Sequence, residues 1–174
     1  MKKANKIVYI TLAALLVATI VLALLNGMDA QLKRALEENR EFLITLDGDT
    51  AATVGLQDLI ELEPQEFTTM LASSIGVPRE VTLKGVELRS ILQALAPKAL
   101  EAQSFIFLGL DGYYSPLTSA EVYEAEKIYV CFSMDGEIMK SQSEGGYGPF
   151  LMVIRGSRFA QRWCKYVGEL RVEN

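Results

Sequence analysis

A mixed α+β fold preceded by one membrane-crossing helix is what this sequence predicts, and three observations predict it. Short apolar runs of strand length are spread over residues 42–174, broken by Gly, Pro and Asp-Gly. A few brief helical periodicities fall between them without regular βαβ alternation, which argues against a doubly wound sheet. A single long uncharged run lies ahead of all of these, near the N-terminus.

That run comes first. Ile7 to Leu25 gives 19 residues without a charge, Gly or Pro, after Lys2, Lys3 and Lys6. As a helix it spans roughly 28 Å, close to the hydrocarbon thickness of a bilayer. The basic end is expected to stay cytoplasmic, placing the remainder outside. A cleaved signal peptide is the competing reading. Its apolar core is usually shorter, about 7–15 residues, and the best cleavage site here, Met28-Asp29-Ala30, places a poorly suited Met at −3. No cysteine follows that could carry a lipid. The expected organisation is therefore an anchor at 1–26, a helical stalk at 27–41 and a domain at 42–174. In the stalk, Leu32 and Leu36 share a face, and Lys33–Glu37 and Arg34–Glu38 are i,i+4 pairs.

Phe42–Leu46 reads as a strand ending in the Asp47-Gly48-Asp49 turn. Leu56, Leu59, Ile60 and Leu62 suit a brief helix stopping before Pro64, and Glu66–Leu71 and Glu80–Leu83 read as strands. Leu88, Ile91, Leu92 and Leu95 recur at three and four residues, an amphipathic helix ended by Pro97. Ser104–Leu110, Lys127–Ser133, Leu151–Ile154 and Lys165–Val172 carry strand character.

Composition narrows the chemistry. The chain has 174 residues, 17 Lys+Arg, 22 Asp+Glu, two cysteines and no histidine. Without histidine there is no Ser–His or Cys–His nucleophile pair, no imidazole acid/base and no His-ligated zinc or haem. Two cysteines cannot form a four-Cys zinc site or hold an iron–sulfur cluster alone. The net charge of −5 argues against a nucleic-acid surface. With the three anchor lysines set aside, 14 basic residues face 22 acidic ones, a surface repelled by anionic lipid.

Several constellations remain. Asp47, Asp49 and Asp58 match positions 1, 3 and 12 of a calcium loop, but Ala51 and Ala52 stand where an oxygen ligand and a glycine are needed, so a plain turn is the expectation. Asp111, Gly112 and Tyr113, followed by Tyr114, form either a tight turn with core tyrosines or a platform offering rings and hydroxyls to a flat polar ligand. Gly145, Gly146 and Gly148 make the most glycine-dense stretch, either a turn between strands or a backbone open to a ligand. It has no Lys-Ser/Thr of a P-loop. Cys131 and Cys164 are either disulfide-bonded or buried thiols. Arg155, Arg158, Arg162 and Lys165 form an anion pocket or a solvated face. Ser73-Ser74 lacks a base and is assigned no catalytic role.

The order of motifs carries a resemblance. Leu46-Asp47-Gly48 and Gly55-Leu56-Gln57-Asp58-Leu59 precede a run from Thr82-Leu83-Lys84-Gly85-Val86 to Leu92. Phe107-Leu108-Gly109-Leu110-Asp111-Gly112-Tyr113, Met134-Asp135-Gly136-Glu137, Gly148-Pro149 and Trp163-Cys164-Lys165-Tyr166-Val167 follow. This succession resembles the oxidoreductase molybdopterin-binding domain of the sulfite oxidase family, over about residues 42–174. The resemblance implies an α+β domain with mixed sheets and short helices. In active members it also implies a pterin-bound molybdenum taking one cysteine thiolate, from the interval that here reads Ala72-Ser73-Ser74-Ile75-Gly76-Val77-Pro78. A serine hydroxyl is a much poorer ligand, since thiolates ionise near neutral pH and alcohols do not. Where the family often carries an Arg after Gly-Pro, this chain has Phe150-Leu151.

The departures strike the chemistry and spare the backbone. The expectation is a membrane-anchored extracytoplasmic domain that is a non-catalytic ligand-binding or interaction module, its candidate ligand residues being Asp111, Gly112, Tyr113, Gly145, Gly146 and Gly148. No catalytic residue and no metal ligand is assigned. No cofactor is expected, molybdopterin being the one the resemblance offers. The expected partners are the membrane through residues 7–25, a small ligand or a membrane protein. One rival is a molybdopterin-dependent oxidoreductase whose metal uses Ser73 or no protein ligand. Another is a structural partner of a membrane redox or transport complex.

Overall fold

The computed structural model describes residues 2–71, 78–157 and 160–174. The chain divides into two compact units, Met1–Ala35 and Leu36–Asn174. The first is helical, part of α1 (Lys2–Asn39). Leu12, Leu15, Leu16, Val17, Leu22 and Leu24 are exposed along it, and the helix is long and apolar enough to cross a membrane by length and composition. Thr19 returns its hydroxyl to the Leu15 carbonyl at 2.8 Å, so this polar group needs no outside partner. Lys33 pairs with Asp29, at 3.0 Å, the i,i+4 neighbour one turn before it.

The second unit holds two five-stranded sheets with short helices. The first sheet has the order β2 (Asp49–Gly55), β1 (Glu41–Leu46), β10 (Val167–Glu173), β5 (Ser104–Gly109) and β6 (Tyr114–Thr118). Only β1 and β10 in it run parallel. The second has the order β3 (Gln65–Leu71), β4 (Arg79–Glu87), β7 (Ile128–Met134) and β8 (Glu137–Ile138), with β9 (Leu151–Ile154) also paired to β7. Helix α2 (Leu56–Glu61) follows β2, α3 (Leu88–Leu95) follows β4, and α4 (Ser119–Tyr123) follows β6.

Local chemistry explains most boundaries. Asp47-Gly48 and Asp135-Gly136 each join two strands through two residues of positive φ, the conformation that matches strand twist in a hairpin. Asp58 accepts the Gly55 amide at 2.7 Å and so caps α2. Asp47 accepts from the backbone and side-chain nitrogens of Asn174 at 3.1 and 2.7 Å. Asp58 and Asp47 thus serve separate structural tasks, and no cluster of metal-ligating residues exists among the described residues. Helix α3 buries Leu88, Ile91 and Leu92, the face its spacing predicts.

Burial follows the two periods. Strand β5 alternates, with Phe105 and Phe107 fully buried, whereas β7 is buried on both faces as a central strand. Phe42 of β1 meets Phe150 edge to face at 5.3 Å, a contact worth about 0.5–1.5 kcal/mol beyond area burial. Arg155 lies over the rings of Phe67 and Tyr129, at 4.9 and 5.6 Å, and pairs with Glu126 at 3.3 Å. It thereby ties the end of β9 to β3 and β7.

Several elements depart from the expectations, α4 and β8 among them, and three departures have a plain physical reason. Strand β2 is made largely of Thr, Ala and Val between Asp49 and Gly55, with little alternation, so its identity comes from pairing with β1. Strand β6 contains Pro116, tolerated because β6 is an edge. The last strand starts at Val167, two residues later than expected, because Tyr166 has φ +54° and cannot continue an extended chain.

Candidate functional site

The two candidate ligand loops meet at one residue. Tyr166 donates its amide to the Tyr147 carbonyl at 3.1 Å, and its own carbonyl accepts the Leu110 amide at 2.8 Å. One bond thus reaches the glycine loop and the other the Asp111 turn. Tyr166 holds both while in the left-handed region, which a bulky residue rarely occupies. Burial, the Asp111 carboxylate and Tyr147 all push its phenol above the usual range.

The Asp111 turn is closed by its own groups. Gly112 donates to the Gly109 carbonyl at 2.9 Å, Gly109 to the Tyr113 carbonyl at 2.7 Å, and Asp111 Oδ1 accepts the Tyr113 amide at 3.0 Å. The Tyr113 hydroxyl donates to the Gln161 carbonyl. Tyr113 is partly exposed and Tyr114 is two-thirds exposed, at 66%.

The glycine loop spends its amides on itself. Gly145 donates to Gln142 at 3.0 Å, Gly146 to Ser141 at 2.9 Å and Gly148 to Lys140 at 2.8 Å, each to a backbone carbonyl. These amides are therefore not free to cradle an anion. Gly146 is required on packing grounds, because a Cβ there would collide with the Lys140 carbonyl. Ser141 and Glu144 close the loop, the Glu144 carboxylate accepting the Ser141 amide at 3.0 Å and its hydroxyl at 3.1 Å. Those bonds, together with nearby Arg40 and Lys140, hold Glu144 below the usual carboxylate range. The loop is also tied to the segment entering the domain, as Arg40 donates to the Met139 carbonyl at 3.2 Å.

Gly145 and Gly146 form one wall of a cleft of about 360 Å³, with Arg79, Asp135, Lys140 and Tyr147 among its other walls. Asp111, Gly112, Tyr113 and Gly148 do not line it. Arg79 and Asp135 are joined at 2.9 Å, and Asp135 also accepts the Thr82 amide. That amide first, and Arg79 second, keep Asp135 below its ordinary range.

Among the described residues, the cations of 155–165 do not converge. Arg155 is stacked and paired as described. Arg162 grips Glu121 through two bonds of 2.6 and 3.1 Å and donates to the Pro116 carbonyl. Lys165 lies 4.4 Å above the Tyr147 ring. Arg158 lies outside the described residues. The segment 160–162 instead covers the β6 edge, receiving the Tyr113 and Ser115 hydroxyls on its carbonyls. Neither this bracing role nor the bridge at Tyr166 was visible in the sequence, since both end on backbone carbonyls that carry no residue signature. Trp163 beside them buries its indole nitrogen without an acceptor among the described residues.

Both thiols are free and buried. Cys131 is paired with Leu151 in the sheet, whereas Cys164 bridges to Met152. Consecutive strand residues point to opposite faces, so the two sulfurs lie on opposite sides of the sheet and cannot form a disulfide. Burial pushes Cys131 far above its usual range and Cys164 up to about 12, with the Asp111 charge assisting at Cys164. Among the described residues, a pterin-held molybdenum finds no reachable thiolate and no unpaired arginine at these positions: both thiols are buried, and Arg79, Arg155 and Arg162 are already paired. Residues 72–77, where Ser73 stands, lie outside the described residues.

Neither a protein-family model nor a curated protein sequence matches the chain. Among solved structures, the chain is similar to the sulfane dehydrogenase SoxCD from Paracoccus pantotrophus, at TM-score 0.59 and 16% identity over 76% of this chain. The similarity spans 38% of that chain, and at this identity it shows a distantly related fold.

Proposed function

We propose that this chain is a membrane-anchored, extracytoplasmic domain that uses a sulfite-oxidase-type scaffold as a non-catalytic ligand-binding or interaction module. The observation carrying this reading is the state of the thiols. A metal-ligating cysteine must be reachable by the metal, and Cys131 and Cys164 are both free and buried in the core. The interval where the resembling family places its metal ligand contains no cysteine. The ligand face we propose lies around Tyr166, where Tyr147, Lys165 and the Asp111 turn come together. There the tyrosine rings and the Lys165 ammonium would do the recognition, and the glycines would shape the backbone.

A second reading is favoured by the neighbour's name. A dehydrogenase sharing this fold supports a pterin-dependent oxidoreductase with an unusual metal site. Metal analysis and pterin fluorescence of full-length protein extracted from its native membrane separate the two. Substoichiometric molybdenum and tungsten support the non-catalytic module; one metal and one pterin per chain would overturn it.

A further inference from the structure

The sheet edges are treated unequally. Strand β2 carries an irregularity opposite Ile44/Thr45 that leaves Ala51 outside the regular pairing. The β6 edge is covered by residues 160–162, and β9 is bridged on its outer side by Cys164. Bulges and covering loops are how proteins blunt an edge against further pairing. Among the described residues, strand β3 has neither. Its seven residues pair with β4 without interruption, from Gln65↔Gly85 to Leu71↔Arg79. It contains no Pro, Lys or Gly, and its outward backbone groups have no backbone partner among the described residues.

We propose that β3 pairs antiparallel with β3 of a second copy of this chain, about a two-fold axis through Thr68. The sequence is self-complementary in that register. Thr68 faces Thr68 of the other copy, a favourable cross-strand pair, and both are exposed on the outer face. Glu66, the one charge on the strand, faces Met70, which is 53% exposed. The two Glu66 carboxylates are then offset by four residues, about 14 Å along the strand, beyond the screening distance of about 8–10 Å. Centring the axis on Glu66 instead would oppose the two carboxylates. Within each copy, Lys84 stands opposite Glu66 on β4 and further offsets that charge. The pairing is isologous, so it closes at two copies and leaves no new edge.

Cross-linking of the full chain in liposomes tests this. Both native thiols are buried, so a cysteine introduced at an exposed position is the reactive one. Thr68→Cys with a short bis-maleimide is expected to give a homodimer, and Thr53→Cys on β2 is expected to give none. Thr68→Lys places like charges across the axis and is expected to lower the dimer fraction of the otherwise native chain, read by light scattering in detergent, by about tenfold or more. Circular dichroism of each variant establishes that it folds. A wild-type chain that is monomeric at every concentration, or equal cross-linking at Thr53 and Thr68, overturns the proposal. Cross-linking of Thr68→Cys only to a different protein also overturns it.

Discussion

The amide of Tyr166 is bonded to the carbonyl of Tyr147 at 3.1 Å while Tyr166 sits at φ +54°. A left-handed conformation costs a side-chain-bearing residue about 1–2 kcal/mol, so the surroundings must over-determine it. They do so through the second bond, from Leu110, which fixes the carbonyl on the other side. Tyr166 is the backbone hinge-pin between the two candidate loops, and strain held at such a junction is characteristic of sites that position something else.

Two substitutions isolate that strain. Tyr166→Asn and Tyr166→Val both remove the ring, but Asn tolerates positive φ and a β-branched residue does not. The Val variant is expected to be less stable than the Asn variant by about 1 kcal/mol, measured as the difference in urea midpoints at equal slope. Equal midpoints would show that the conformation carries no penalty.

Thiol accessibility provides the second test. Cys131 and Cys164 are expected to resist alkylation in the native chain at pH 8 and to react fully in denaturant, as burial disfavours the thiolate. The measurement is mass spectrometry of the two samples after iodoacetamide. Rapid native labelling of either cysteine would remove the argument against a thiolate ligand.

The glycine loop makes a prediction about shape. Gly146→Ala puts a methyl group against the Lys140 carbonyl, so the loop must open. Overpacking of this kind costs about 1–3 kcal/mol. Faster amide exchange at Gly145, Gly146 and Gly148, whose bonds hold the loop closed, is the expected signature. Unchanged exchange would mean that the loop accommodates a side chain and that the close approach is incidental.

Strong local chemistry was legible and backbone pairing was not. The apolar spacing of Leu88, Ile91 and Leu92 and the run Leu151–Ile154 announce a helix and a strand because burial dictates residue type there. Asp47-Gly48 announces its turn because few residues accept positive φ. Strand β2 and the left-handed Tyr166 are imposed by neighbours distant in sequence, and Thr, Ala and Tyr occur in many settings. At the candidate site, the sequence flagged both loops and left the glycines as either turn formers or a ligand-facing backbone, and the amides of Gly145, Gly146 and Gly148 are committed to the loop itself. The residue joining the loops, Tyr166, was noted only as part of a family-like run.

The Arg162–Glu121 pair carries the last prediction, because it closes the β6 edge and caps α4 at once. Glu121 takes two bonds from Arg162 and two from Thr118, and these hold its pKa at about 2 against an ordinary 4.5, despite opposing desolvation. The folded state therefore prefers the carboxylate. Its contribution is complete above about pH 4.5 and is lost as pH falls toward 2. Arg162 is nearly half exposed, so solvent screening keeps the contribution near ~1 kcal/mol at neutral pH. Glu121→Gln retains the cap but not the charge. It is expected to be less stable than the native chain at pH 7, with the gap closing as pH falls through that window, by thermal midpoints across a pH series. Asp135 and Glu144 also have lowered pKa values, but they titrate in both chains and cancel in the difference. A gap that stays constant down to pH 2 would assign the loss to packing at the edge, with no part for the charge pair.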